Sequence, residues 1–223
     1  MKPDDFEEKP LDEFGYEKFM RESDARTDKM MKLYEKYQDH PDCEKLVARE
    51  MGWEWLEEAL EAKERGELPA PESIETARLE PDPLTDGVDW IRDDDGRIHH
   101  PLSKRAFEIA MAMWQFLKDR NLLEEGGDDD LREMIFEFQT AVAKLAGALN
   151  SLGYVGDLRE GAFVVVALKR ALAYLHKSMA ASEKVMEKRL VDSERLKRFR
   201  GELFDVREEI LRLMKRFREG SQS

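Results

Sequence analysis

The segment at residues 91–101, IRDDDGRIHHP, brings together the residue types that bind metals. Asp93 and Asp95 offer carboxylate oxygens, and His99 and His100 offer imidazole nitrogens. Neighbouring side chains of an extended strand point to opposite faces, so the two histidines are not expected to bind the same ion. We expect one of them to pack or to cap, and the other to be solvated.

The same segment fits a β-hairpin better than a calcium loop. An Asp-Gly pair between short alternating segments is a hairpin signal. If Gly96 took the glycine position of an EF-hand loop, Ile91 and Leu102 would stand where two acidic ligands belong. The sequence therefore predicts a short β-hairpin over about residues 88–100, with no bound metal. Trp90 is placed to clamp this hairpin onto the neighbouring helices.

A second group of residues could do chemistry on a late helix. In RALAYLH, an arginine and a histidine stand at a spacing that resembles the Arg-x₄₋₆-His motif of HEPN-type helical ribonucleases. The resemblance covers seven residues, and Ala171 replaces the polar residue that often follows the arginine. It implies that Arg170 would stabilise phosphate charge and that His176 would act as a general acid or base. The alternative is that His176 is a surface or partly buried histidine satisfied by a neighbour.

Buried carboxylates suggest a related hypothesis, a helical-bundle enzyme that binds a small molecule or a metal. Glu137, Arg170 and His176 would form its site if they converged in one pocket. No histidine has a glutamate three residues before it, which excludes the Glu-x-x-His form of a di-iron site. Dinucleotide-binding, Walker and Gly-x-Ser-x-Gly motifs are absent, and a single cysteine excludes an internal disulfide framework. The sequence therefore favours a non-enzymatic role without a cofactor.

The charge of the chain is acidic and unevenly distributed. The 223 residues carry 50 acidic and 37 basic side chains, a net charge of −13. Residues 1–100 hold 30 of the acids and 15 of the bases, whereas residues 184–218 hold 7 acids and 12 bases. This basic segment could bind RNA or DNA, or it could lie against the acidic residues of its own chain. Nucleic acid is the less favoured partner, because an acidic body repels phosphate.

The clearest apolar seam belongs to a helix predicted over residues 129–152. Asp128–Asp130 supply its cap and its N-terminal acids. A second stripe on this helix is small, Thr140, Ala143 and Gly147, and predicts that another helix lies close to it. The seam alternates steps of three and four and consists of Leu131, Ile135, Phe138, Val142, Leu145, Leu149 and Leu152.

Similar spacing predicts the other helices. Ser103 is a possible cap of the third helix, and Asp192 or Ser193 of the last one. The alternative for the last two helices is one long kinked helix. Proline punctuates the acidic stretch at 66–89, which reads as a linker or a segment laid over the surface. Apart from the helix at residues 129–152, the spacing predicts helices at about 12–38, 42–65, 101–122, from 158 onward, and 193–218.

The sequence thus predicts an all-α fold: an antiparallel bundle of five to six helices with one short β-hairpin and a Pro-rich acidic linker. We expect an acidic tail and a helical hairpin over residues 1–65, the linker and β-hairpin over 66–100, and a C-terminal bundle over 101–218. The bundle and residues 11–65 could also pack as a single domain.

Apolar seams on several helices, without a catalytic set, favour an interaction or scaffold protein. We expect it to form a homodimer or another homo-oligomer, with a further protein as a possible partner. No apolar run reaches the roughly 18–20 residues of a membrane span, and the acidic N-terminus does not resemble a signal peptide. The expected location is therefore the cytoplasm, without membrane association.

Overall fold

The computed structural model describes residues 11–67, 80–124, 126–153 and 161–220. The fold of these ranges is all-α with one short β-hairpin, as the sequence predicted. Strands β1 (Ile91–Arg92) and β2 (Ile98–His99) pair antiparallel. The helices are α1 (Glu13–Tyr37), α2 (Cys43–Met51), α3 (Glu54–Glu64), α4 (Pro101–Lys118), α5 (Asp129–Leu149), α6 (Gly161–Lys188) and α7 (Ser193–Gly220).

The chain divides into two compact units. One consists of Phe14–Arg78 and contains α2 and α3 with nearly all of α1. The other consists of Met1–Glu13 and Leu79–Ser223 and contains the β-hairpin and α4–α7. Residues 80–100 therefore share a unit with the bundle. The division of the chain at residues 65 and 100, made from the sequence, stays a prediction.

In the first unit, the helix predicted over residues 42–65 is interrupted, and that prediction is wrong. Gly52 has φ = 72°, a left-handed conformation that glycine adopts at little cost. Its N–H donates to the carbonyl of Arg49 (3.1 Å), and the N–H of Trp53 donates to that of Ala48 (2.9 Å). The chain therefore leaves α2 at Gly52 and begins α3 two residues later.

The bundle of the second unit is organised around α5, which contacts both α4 and α6, while α7 packs on α6 and α4. The predicted seam of α5 is buried from Leu131 through Leu149. In its middle, Phe138 meets Phe199 of α7 edge to face, with ring centroids 5.6 Å apart. The seam thus supplies the core of the bundle, as its spacing indicated.

Local caps set where these helices begin and end. Asp128 accepts hydrogen bonds from the N–H groups of Asp130 (3.0 Å) and Leu131 (3.3 Å), which confirms the predicted cap of α5. Asp192 caps α7 by accepting from the N–H of Arg195 at 2.9 Å. Arg189 takes φ = 55° after α6, so α6 and α7 are two helices and not one kinked helix.

The described part of the Pro-rich stretch lies against the end of α5. The N–H of Asp82 donates to the carbonyl of Gly153 (2.7 Å), and Trp90 Nε1 donates to the carbonyl of Asp82 (2.7 Å). A Cβ on Gly153 would stand 2.5 Å from Trp90 Cβ, so only glycine permits this approach. Trp90 is buried here and holds the base of the hairpin against the bundle, as predicted.

An ion pair joins the same stretch to α7. Both oxygens of the buried Asp89 accept hydrogen bonds from Arg216, at 2.6 and 2.8 Å. A bidentate arginine–carboxylate pair combines charge attraction with fixed geometry. Residues that are 127 positions apart in the sequence are thereby fastened together.

Replacing Arg216 by methionine should destabilise the protein by about 3 kcal/mol, because it leaves the buried carboxylate of Asp89 without a partner. The adjacent Lys215, whose pair with Glu219 is exposed, is the control, and Lys215→Met should change stability by less than about 0.5 kcal/mol. Urea unfolding followed by circular dichroism measures both. Equal effects of the two substitutions would contradict a structural role for the pair.

Candidate functional site

A groove runs between α4 and α5 below the β-hairpin, with a volume of about 590 Å³. The floor of the groove is apolar. Its rim carries charged and amide side chains that the β-hairpin, α4 and α5 contribute. The floor is formed by Ala110, Val142, Ala143 and Ala146, with Phe107 beside it, and the rim by Asp93, Arg97, His99, Lys104, Glu108, Gln139 and Asn150.

Large and small apolar residues are exposed on the two helices that flank the groove. Phe107 and Met111 of α4 are 56% and 38% exposed, and Phe136 of α5 is 66% exposed. Ala143 and Gly147, which follow Phe136 at steps of seven and four along α5, are also exposed. These five residues define what we call the α4–α5 face.

The small stripe of α5 was predicted to bring another helix close. In the described part of the chain no atom lies within 4 Å of where a Cβ of Gly147 would stand, the helix's own backbone aside. Among the described residues, Gly147 therefore borders open space, whereas Ala143 lines the groove between α5 and the neighbouring α4. Sequence reasoning found the stripe but did not find the groove, because the spacing cannot show which side stays uncovered.

The hairpin places a charged group at the mouth of the groove. His99 Nε2 lies 3.2 Å from Asp93 Oδ2, and Lys104 Nζ donates a hydrogen bond to the other oxygen of Asp93. The bond from Lys104 is the main reason that the pKa of Asp93 lies below its usual range, and it raises the pKa of Lys104. This end of the rim is thus a compact group of one carboxylate, one ammonium group and one imidazole.

The four candidate metal ligands are not brought together around one point. Asp95 pairs with Arg97 at 3.2 Å, while His99 faces Asp93 and His100 is buried on the other side of the strand. Within the described ranges, no group of three histidine, cysteine, aspartate or glutamate side chains is placed to hold a metal ion. The divergence of the two histidines follows from the alternation of side chains along β2.

His100 caps α4 from a buried position, which corrects the prediction that Ser103 is the cap. Its Nδ1 accepts the N–H of Leu102 at 3.1 Å, so the ring proton resides on Nε2. Nε2 is buried and has no hydrogen-bond partner among the described residues. Burial lowers the pKa of His100 to about 4, although the nearby carboxylate of Asp89 acts in the opposite direction.

The three residues of the enzyme hypothesis are placed on α5 and α6. His176 is exposed and accepts a hydrogen bond from Arg207 Nε of α7 at 3.3 Å. Glu137 Oε1 lies 3.6 Å from Lys177 Nζ, and its Oε2 is buried. Arg170 is half-buried. Glu137 and His176 therefore contact different side chains, and these contacts do not join them in one site.

Most of the basic segment at residues 184–218 lies in α7, its first residues end α6, and most of its charges are paired within the chain. Arg200 bonds to Glu183 of α6, and Arg216 bonds to Asp89. These contacts match the alternative that the basic helix lies against acidic residues of its own chain. Among the described residues, Arg195, Arg198 and Arg212 of α7 form no ion pair.

Comparisons with protein-family models, with curated proteins and with solved structures find no match to this chain. Among the described residues, no helix combines the length and the apolar character needed to cross a bilayer.

The stability of the protein should fall as the pH decreases from about 6.5 to about 4. In this interval the unfolded chain protonates His100 while the folded chain keeps it neutral, since its folded pKa is the lower one. The loss should be about 3 kcal/mol, and His100→Asn should remove it, because asparagine keeps a cap acceptor without an ionisable ring.

The matched control is His40, which also precedes a proline and accepts the N–H two residues ahead, from Asp42 at 3.0 Å, but is exposed. His40→Asn should leave the dependence on pH unchanged. Urea unfolding between pH 4 and 7 tests both variants. If the wild type and His100→Asn lost stability in parallel, burial of the neutral ring would not be the cause.

Proposed function

We propose that the protein is a non-enzymatic interaction protein that self-associates, and that the α4–α5 face is the surface on which two copies meet. The observation that carries this proposal is the exposure of Phe107 and Phe136 beside an apolar groove floored by small residues. Large exposed apolar patches mark interaction sites in proteins that otherwise bury such residues.

The occupant proposed for the groove is a second copy of the same chain, because the face is complementary to itself. A two-fold dimer places the same patch on both partners, so protrusions and recesses must both be present on it. Phe107, Met111 and Phe136 are the protrusions, and the recess is the groove that Ala143 lines, with the small exposed Gly147 one turn further along α5. Aromatic rings of one copy would enter the recess of the other.

The charges of the rim support the same occupant. Asp93 and Glu108 are acidic, whereas Arg97 and Lys104 are basic, and all four line the groove. A rim that carries both signs allows opposite charges to meet across a two-fold axis. The acidic character of the whole chain, which would separate two copies at long range, is therefore balanced on this face.

Burying the apolar side chains of this face would contribute substantially to the free energy of association. Moving one phenylalanine side chain from water to an apolar contact contributes roughly 1.5–3 kcal/mol, and two copies would bury Phe107 and Phe136 twice. Part of this gain offsets the loss of translational and rotational freedom on association. Small residues add to it, because they let helix backbones approach closely.

Gly147→Leu should weaken self-association at least about tenfold, since the new side chain would occupy the recess, a change of about 1.4 kcal/mol. The control is Gly201→Leu on α7, another exposed helical glycine with no atom within 4 Å of its Cβ position. Both variants should fold, because leucine favours helix more than glycine does. Sedimentation equilibrium over 1–200 µM, a range chosen on the order of typical dimer constants, measures the effect.

A monomeric wild type over this concentration range would contradict the proposal, as would equal weakening by the two leucine variants. Phe136→Ala provides a second check by removing a protrusion, with the exposed Phe204 of α7 as its control. Only the first of these alanine variants should weaken association.

A second candidate function is the binding of a small molecule in the same groove, and the charged group at its mouth favours it. Ligand pockets typically have about 300–1,000 Å³, apolar walls and a few convergent polar groups, which fits the groove with His99, Asp93 and Lys104 at one end. Metabolites that raise the melting temperature of the wild type should lose this effect in His99→Gln. In His176→Gln, which alters an exposed histidine of α6, the effect should persist; loss in both variants would contradict binding at the groove.

A further inference from the structure

A second cavity, of about 540 Å³, lies where the turn after α4 meets the turn between α6 and α7. Three arginines line it: Arg120 follows α4, and Arg195 and Arg198 belong to the first turns of α7. Apolar side chains form another part of the wall, namely Leu122, Leu190 and Val191. A pocket that combines guanidinium groups with an apolar wall is suited to an organic anion.

Phe116 holds two of these arginines in place. The guanidinium carbon of Arg120 is 3.8 Å from the centroid of its ring, and that of Arg195 is 4.8 Å from the same centroid. Cation–π contacts stabilise each guanidinium without neutralising it. One aromatic ring therefore gathers two positive charges that come from separate segments of the chain.

Within the described residues these arginines form no ion pair with a carboxylate, although Asp192 and Glu194 line the same cavity. The two acids that line the cavity have other roles: Asp192 caps α7 through the N–H of Arg195, and Glu194 pairs with Lys197 at 2.9 Å. Arg195 and Arg198 form no ion pair in the described part of the chain, although acidic side chains outnumber basic ones overall. An anion in the cavity would relieve the repulsion among the clustered guanidinium groups.

We propose that this cavity binds an organic phosphate, with its dianionic phosphate on Arg195, Arg198 and Arg120 and its apolar body against Leu190 and Val191. Arginine forms bidentate hydrogen bonds with phosphate oxygens, so two or three guanidinium groups can satisfy one phosphate group. The site favours a small ligand over a nucleic acid, because a polyanion would extend past the arginines and meet the acidic side chains beside them, Asp192 and Glu194.

The test uses phenyl phosphate as the probe and isothermal titration calorimetry of the full-length protein at low and at moderate salt. The double variant Arg195→Gln/Arg198→Gln should weaken binding at least about tenfold, the loss of one to two charge-assisted hydrogen bonds. Arg212→Gln is the control, since Arg212 is also exposed on α7 and forms no ion pair in the described residues, but does not line the cavity. Binding by Arg212→Gln should equal that of the wild type.

Inorganic phosphate should bind more weakly than phenyl phosphate, because it lacks the body that contacts the apolar wall. Phe116→Leu should reduce the affinity about three- to tenfold through the arginines that it no longer holds. Circular dichroism melting of each variant checks that the helices remain folded, since Phe116 and Arg195 are half-buried.

Three results would overturn the proposal. The first is no heat from phenyl phosphate at millimolar concentration and low salt. The second is equal weakening by Arg212→Gln and by the double variant, which would indicate general attraction by α7. The third is tighter binding of a single-stranded oligonucleotide than of phenyl phosphate, in a manner that depends on Arg195 and Arg198, which would assign the site to nucleic acid.

Discussion

The bundle depends on the burial of one face of α5. Its apolar seam is covered by α6 and, through the contact between Phe138 and Phe199, by α7, while α4 packs along its flank. A helix with one such seam must turn its opposite side outward. On α5 that side carries Phe136, Ala143 and Gly147, and its position beside α4 creates the groove. The α4–α5 face is therefore a geometric consequence of how the core is built.

Polar contacts at the base of the hairpin position the charged rim of this groove. Trp90 is held against Gly153, the pair of Asp89 with Arg216 fastens the preceding residues to α7, and His100 begins α4 directly after β2. Each contact is buried or half-buried, where hydrogen bonds and charges act more strongly than in water. These contacts thus fix the position of the rim, whose side chains Asp93, His99 and Lys104 are half-buried.

Much of the fold was predictable because it follows from local rules. The seam of α5, the caps by Asp128 and Asp192 and the Asp-Gly turn depend on residues that are near one another in the sequence. The break at Gly52 was missed, because an isolated glycine in a helical pattern costs only about 1 kcal/mol and does not by itself end a helix. The uncovered groove could not be predicted, since it depends on which residues meet in three dimensions.

The attachment of Arg216 to Asp89 changes the behaviour expected at the end of α7. Terminal turns of a helix usually fray, since their last carbonyl groups lack partners within the helix. Here the penultimate turn is tied to a buried carboxylate from the stretch before the hairpin. Amide protons of these last turns should exchange with solvent together with those around Trp90, so the two segments form one cooperative unit despite their separation along the chain.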